Sequence, residues 1–185
     1  HYGLAIFLSA FLLFQVQPLI GKMILPWFGG SASVWTTCML FFQMTLLLGY
    51  FYSHWVVRYL SPYRQSLLHG SLLLLCLVLL PIGASADWKP SGAENPTLRI
   101  LGLLMVSIGL PYFVLSTTGP LLQAWFARER SGVVPYRLFA LSNFGSMLAL
   151  LAYPLAVEPF FPTRCQPYLW SALFACFLVA GALPA

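Results

Sequence analysis

Charge is what this sequence lacks most, because Asp, Glu, Lys and Arg together make up only 7% of its 185 residues. A soluble globular domain carries roughly 25% charged residues, so this chain has too little polar surface to cover a water-soluble particle. Hydrophobic residues make up 60% and aromatic residues 16%, which suits helices that cross a bilayer and place aromatic side chains at its two surfaces. We therefore expect an all-α integral membrane protein surrounded by a lipid bilayer.

The sequence also lacks the patterns that mark most catalytic, metal and nucleic-acid sites. Its four cysteines show no CxxC spacing, so neither a metal site nor a redox pair is predicted. The nine basic residues are scattered over short loops, which favours contact with lipid headgroups over binding of nucleic acid. No glycine-rich phosphate loop occurs. We expect no catalytic residue and no cofactor within this segment, and any enzymatic activity would belong to a domain outside it.

Six apolar segments are each close to the roughly 20 residues that a spanning helix needs. Helices are expected because backbone polar groups in hydrocarbon must be satisfied within the segment. The predicted helices of this single domain cover residues 2–20, 33–57, 65–84, 97–122, 136–157 and 166–183. The short joints between them predict that neighbouring helices run antiparallel.

Basic residues in the loops predict the orientation in the membrane. We call the side of the N-terminus side A and the opposite side side B. Side A carries five basic residues and side B carries four, namely Arg58, Arg64, Arg128, Arg130 and Arg137 against Lys22, Lys89, Arg99 and Arg164. The excess favours side A as cytoplasmic, with both termini inside, in a bacterial inner membrane.

A faint internal repeat relates the two halves of the chain. Pro18 and Pro120 each follow polar residues and precede Leu, and they lie 102 positions apart. Gln43 and Asn143 stand 100 positions apart in the second and fifth segments. Three helices that repeat as three more enter the membrane from opposite sides, as in the inverted repeats of many transporters. The sequence thus permits two inverted three-helix repeats.

Polar residues precede the proline of the first segment. Gln15 and Gln17 could satisfy backbone groups that Pro18 leaves without a donor, or they could face a cavity. Lys22 follows one turn later, either as an interfacial lysine that reaches for water or as an anion contact beside a broken helix. We predict a helix break at Pro18.

Hydroxyl residues repeat this design in the fourth segment. Ser116, Thr117 and Thr118 can bond back to the preceding turn and bend the helix, or they can form a substrate site between the first and fourth helices. We predict a second helix break at Pro120. Interrupted helices in corresponding positions are the best sequence indication of a transporter site.

Two amides and a stripe of small residues mark the second and fifth segments. Gln43 and Asn143 could hydrogen-bond between helices, or they could join the substrate site between the first and fourth helices. The small residues recur at helical spacing and predict a packing face that admits another backbone. They are Ser142, Gly145, Ala149 and Ala152.

His54 and His69 lie near side A on adjacent helices. Two such histidines could bracket a haem iron, although interfacial histidines are common without one. No CxxCH sequence occurs, so a haem is the weaker interpretation and no metal is predicted.

Several runs resemble the N-terminal membrane region of spermidine-synthase-like membrane proteins. They are FLLFQVQPLIGK at 11–22, LPWFGG at 25–30, VWTT at 34–37, LPYFVLSTT at 110–118 and SNFGS at 142–146. The family fuses a major-facilitator-like membrane part to a spermidine synthase domain. The resemblance implies that the six helices form half of a major facilitator fold, and that a soluble domain of the aminopropyltransferase type follows. We therefore expect this chain to be a fragment of a longer protein.

Three functional hypotheses follow. The resemblance implies a membrane anchor or scaffold for a soluble domain or for partner subunits. The paired polar segments instead favour half of a small-molecule transporter, with a polar site between the first and fourth helices. A third hypothesis is a non-catalytic subunit of a larger membrane complex, ordered by its protein partners.

Overall fold

The computed structural model describes residues 2–90, 92, 95–130 and 135–181. Six helices make up most of this described part, and the predicted all-α class is confirmed. They are α1 Tyr2–Phe28, α2 Ala32–Tyr59, α3 Pro62–Val78, α4 Pro96–Glu129, α5 Tyr136–Phe160 and α6 Gln166–Gly181. Four of these, α1, α2, α4 and α5, are long and apolar enough to cross a membrane.

The predicted helix breaks at the two prolines are not present, which corrects the sequence prediction. α1 continues through Pro18 and ends at Phe28 rather than at residue 20. α4 continues through Pro120 and ends at Glu129 rather than at residue 122. A proline removes one backbone donor, but helices packed on both sides of it keep the remaining hydrogen bonds of the turn in place. Each proline therefore leaves one carbonyl without its helical donor and does not end the helix.

Wide turns stand beside two other prolines. α4 contains a π-helical turn at Met105–Gly109, which ends two positions before Pro111, and α5 contains one at Tyr153–Val157, which includes Pro154. A missing backbone donor is a common cause of such local rearrangements of the helical hydrogen-bond ladder.

α3 is shorter than predicted. It begins at Pro62, where the fixed backbone angle of proline suits a first helical position, and it ends at Val78 rather than at residue 84. Pro81 disfavours helical backbone in the residue before it, so the apolar run continues past the end of the helix. The predicted end of the sixth helix, residue 183, lies outside the described residues.

Two close helix pairs dominate the bundle: α1 with α5, and α2 with α4. Gly145 of α5 lies against the carbonyl of Phe7 in α1, and Gly49 of α2 lies against Ser116 of α4. α6 joins α1 through the buried Trp170, whose Nε1 donates to the carbonyl oxygen of Leu12 at 3.0 Å. The outward faces of α2 and α5 expose large apolar side chains, as lipid-facing surfaces do.

Contacts at the two ends of the bundle fix the antiparallel order. On side A, the Tyr2 hydroxyl at the start of α1 donates to Glu129 Oε1 at the end of α4, at 2.6 Å. On side B, Lys22 Nζ lies 2.6 Å from Glu158 Oε1 near the end of α5. The segment after α3 also reaches side B, where Lys89 Nζ lies 5.5 Å from the ring centre of Trp27. The chain between the start of α3 and Lys89 therefore passes from one end of the bundle to the other.

Candidate functional site

A cavity of about 300 Å³ lies between α1, α2, α4 and α5. These are the four helices long enough to span a membrane, so the cavity lies inside the part of the bundle that is expected to be within the bilayer. Its polar lining residues are Ser9, Tyr50, Ser116, Gln123, Ser142, Asn143 and Ser146. The apolar part of the wall includes Phe14 and Phe139.

The helical turns before Pro18 in α1 and before Pro120 in α4 both contribute to this wall. Pro18 cannot donate to the carbonyl of Phe14, and Pro120 cannot donate to the carbonyl of Ser116, because a helical donor serves the residue four positions earlier. Phe14 and Ser116 both line the cavity. Gly119 also lines it, and a side-chain carbon built on Gly119 would meet open space.

Of the predicted substrate residues, Ser116 and Asn143 come together in this cavity. Thr117 and Thr118 do not line it. Both threonine hydroxyls lie 2.8 Å from the carbonyl oxygen of Val114 and within hydrogen-bond distance of His69 in α3. These two residues therefore attach α3 to α4.

The imidazole of His69 is buried, with 4% of the residue exposed. Its Nδ1 lies 3.4 Å from Thr117 Oγ1 and its Nε2 lies 3.2 Å from Thr118 Oγ1, so threonines occupy both positions where an iron could bind. His54 is exposed and lines a second cavity of about 250 Å³ instead. Neither ring nitrogen of His69 is open to a haem iron, which argues against the haem interpretation.

The second cavity shares two lining residues, Tyr50 and Pro120, with the first. Its other lining residues include His54 and Val57, which lie toward the side A end of α2. The second cavity therefore lies nearer to side A than the first.

The polar residues predicted around Pro18 lie elsewhere. Gln17 Nε2 donates to the hydroxyl of Tyr112 at 3.1 Å, which ties α1 to α4. Gln15 is buried, and its Oε1 has no hydrogen-bond partner among the described residues. Lys22 pairs with Glu158, with more than a third of each side chain exposed. Neither amide nor the lysine lines the cavity.

The remaining predicted positions fall on α2 and α5. Gln43 is exposed on α2, away from the cavity. In the stripe of small residues, Gly145 and Ala149 are buried and Ala152 is half-buried, whereas Ser142 lines the cavity. A side-chain carbon on Gly145 would come within 2.8 Å of Phe7 O, so α5 approaches the backbone of α1 at this stripe.

Sequence reasoning missed five polar lining residues: Ser9, Tyr50, Gln123, Ser142 as a lining residue, and Ser146. One signal could have found part of this set. Phe139, Ser142, Asn143 and Ser146 follow the spacing i, i+3, i+4 and i+7, which places them on one helical face. A polar face in the charge-free middle of a membrane helix indicates a face turned away from lipid.

No protein-family model, curated protein or solved structure matches this chain. The resemblance to spermidine-synthase-like membrane proteins therefore remains an expectation from the sequence runs.

Proposed function

We propose that this chain is a six-span membrane bundle that binds a small polar molecule in the cavity and serves as one half of a small-molecule transporter. The observation that carries the proposal is the cavity itself, which is lined by seven polar residues. It lies beside the helical turns before Pro18 of α1 and Pro120 of α4, the two prolines related by the repeat. Buried polar groups in a membrane are costly, so those that face a cavity indicate a pathway or a binding site.

The six-span arrangement is supported by the contacts at the ends of the bundle. α3 and α6 have 17 and 16 residues, near the lower limit of about 17 for a spanning helix. The segment that follows α3 meets α6 where Ile82 N donates to Ser171 Oγ at 3.2 Å. This contact is expected if α3 arrives on side B, where α6 begins.

An inverted repeat is supported by the pattern of helix contacts. If α4, α5 and α6 repeat α1, α2 and α3, the pair α1 with α5 is equivalent to the pair α4 with α2. These two pairs have the most extensive contacts in the bundle. The carbonyls freed by the two prolines, at Phe14 and Ser116, also stand 102 positions apart. A six-helix unit of this kind would complete its pathway with a second copy or with a partner of similar build.

Access of water to the cavity from both sides of the membrane tests the proposal. Exposed Cys165 and Cys176 are replaced by serine, and Ser142→Cys is introduced as a probe. A membrane-impermeant maleimide is applied to right-side-out and to inside-out vesicles. We expect labelling from both sides, because a transporter must open its site alternately.

Two glycine variants provide the control. Gly119→Leu fills the cavity and is expected to slow labelling about tenfold or more from both sides. Gly70→Leu adds the same side chain to another half-buried helical glycine with open space in front of it, and labelling should not change. Labelling from a single side in every condition, or none at all, would exclude a transporter.

A membrane anchor is the second candidate, and one observation favours it. Gln17, Thr117 and Thr118, which the sequence placed in a substrate site, hold helices together through Tyr112 and His69. A bundle fixed in this way suits a rigid support for a soluble aminopropyltransferase-like domain. This candidate expects labelling of residue 142 from one side only, and aminopropyl transfer by membranes that carry the whole gene product.

A further inference from the structure

The cavity lining is polar but uncharged. Among the described residues that line it there is no Asp, Glu, Lys, Arg or His, and the polar groups are the hydroxyls and amides already named. A charged ligand taken from water into such a site would lose its hydration without gaining a counter-charge, which is strongly unfavourable. The lining therefore selects against polyamines, carboxylates and phosphates.

Three of the four serines of the wall can offer only acceptors. Ser9, Ser116 and Ser146 each donate their hydroxyl proton to a backbone carbonyl of their own helix, at 3.0, 2.6 and 3.0 Å. A serine whose proton is used in this way has only its oxygen lone pairs left for a further partner.

A second group of side chains can both donate and accept. No hydrogen bond within the described residues occupies the side chains of Tyr50, Gln123, Ser142 or Asn143. Two hydroxyls and two amides therefore remain open beside the other three serines. The complementary ligand carries several O–H groups, since each hydroxyl donates one hydrogen bond and accepts others.

The volume limits the size of the ligand. At about 30 Å³ for each water in the liquid, about 300 Å³ holds on the order of ten non-hydrogen atoms. Phe14 and Phe139 give the same space apolar walls against which the C–H faces of a small carbon skeleton can pack.

We infer that the cavity binds a free, neutral polyol of about the size of a pentitol or hexose. This inference rests on the proposed function and names its substrate class.

Binding is measured on the full chain in nanodiscs of phosphatidylcholine, because glycosidic detergents would compete for the site. The readout is a saturable rise in the thermal unfolding temperature with ligand concentration. The probes are xylitol, sorbitol and glucose, with gluconate and putrescine as charged compounds of related size. We expect polyol dissociation constants at least tenfold below those of both charged probes.

Variants locate the site. Gly119→Leu should abolish the polyol effect, and Gly70→Leu should leave it unchanged. Asn143→Leu changes an exposed residue and so spares the fold, and it should weaken binding about tenfold through loss of the amide. Tighter binding of putrescine or gluconate, or a polyol effect that survives both Gly119→Leu and Asn143→Leu, would overturn the inference.

One further arm separates a free solute from a lipid headgroup that carries the same hydroxyls. Octyl glucoside below its micellar concentration is added to the nanodiscs, and stabilisation by this compound but not by glucose would overturn binding of a free polyol. The maleimide experiment separates failure of the polyol proposal from failure of the transporter proposal. Labelling from both sides without polyol binding refutes the ligand class alone, whereas a cavity that no reagent reaches refutes the transporter as well.

Discussion

Replacing Gly145 by alanine tests whether the approach of α5 to α1 holds the bundle together. The new Cβ would lie 2.8 Å from the carbonyl oxygen of Phe7. This oxygen belongs to the hydrogen-bonded backbone of α1 and cannot rotate away. Ordinary Cβ contacts begin at 3.4 Å, so the two helices must separate locally by 3.4 minus 2.8, or 0.6 Å.

The size of the effect follows from this separation. A gap of about 0.5–1 Å forfeits a quarter to a half of the dispersion energy of each affected contact, and overpacking of this kind costs about 1–3 kcal/mol. Gly70→Ala is the matched control, because its Cβ meets nothing within 4 Å. Both variants gain the same helix propensity, up to about 1 kcal/mol. Gly145→Ala should therefore be about 1–3 kcal/mol less stable than Gly70→Ala.

The assay is reversible unfolding in mixed micelles by titration with dodecyl sulfate, followed by the helical circular dichroism signal. Gly49→Ala supplies a second case, because its Cβ would overlap Ser116 Oγ, which can turn, and would lie 2.9 Å from Ser116 Cβ, which cannot. Adding Ser116→Ala to Gly49→Ala should recover part of the loss. Equal unfolding free energies for Gly145→Ala and Gly70→Ala would refute the close approach of α5 to α1.

Two further predictions concern single polar contacts. Lys22→Glu should lower stability by under about 1 kcal/mol, because both side chains of its pair with Glu158 are more than a third exposed. Adding Glu158→Lys to the same chain should restore the melting temperature. No recovery would mean that the pair is not formed. Trp125→Phe removes the 2.8 Å hydrogen bond to Gln65 Oε1 and should cost about 1 kcal/mol. In a double-mutant cycle with Gln65→Leu the losses should be less than additive, and strictly additive losses would argue against the contact.

The fold class could be predicted from composition, but the helix bounds could not. The shortage of charge indicates that the apolar segments lie in hydrocarbon. In hydrocarbon a segment must satisfy its own backbone hydrogen bonds, which favours helices. The rule that proline ends a helix describes a segment without neighbours. In α1 the neighbours hold the turn around Pro18 in place, so the helix continues for ten residues beyond it.

The candidate site was only partly predictable for a related physical reason. In a soluble protein, an amphipathic pattern shows which face of a helix is buried. In a membrane bundle, lipid and protein interior are about equally apolar, so isolated amides such as Gln15 and Gln43 give no sign of the direction in which they point. The structure buries Gln15, exposes Gln43 away from the cavity, and places Asn143 in its wall.

The run Ser116-Thr117-Thr118 illustrates how one motif serves two purposes. Successive residues of an α-helix are turned by about 100°, so three consecutive hydroxyls cannot face one ligand. Ser116 lines the cavity and contacts α2, while Thr117 and Thr118 reach His69 of α3. A hydroxyl run before proline in a membrane helix is therefore better interpreted residue by residue. The residue four positions before the proline is the one whose freed carbonyl and side chain can serve a ligand together.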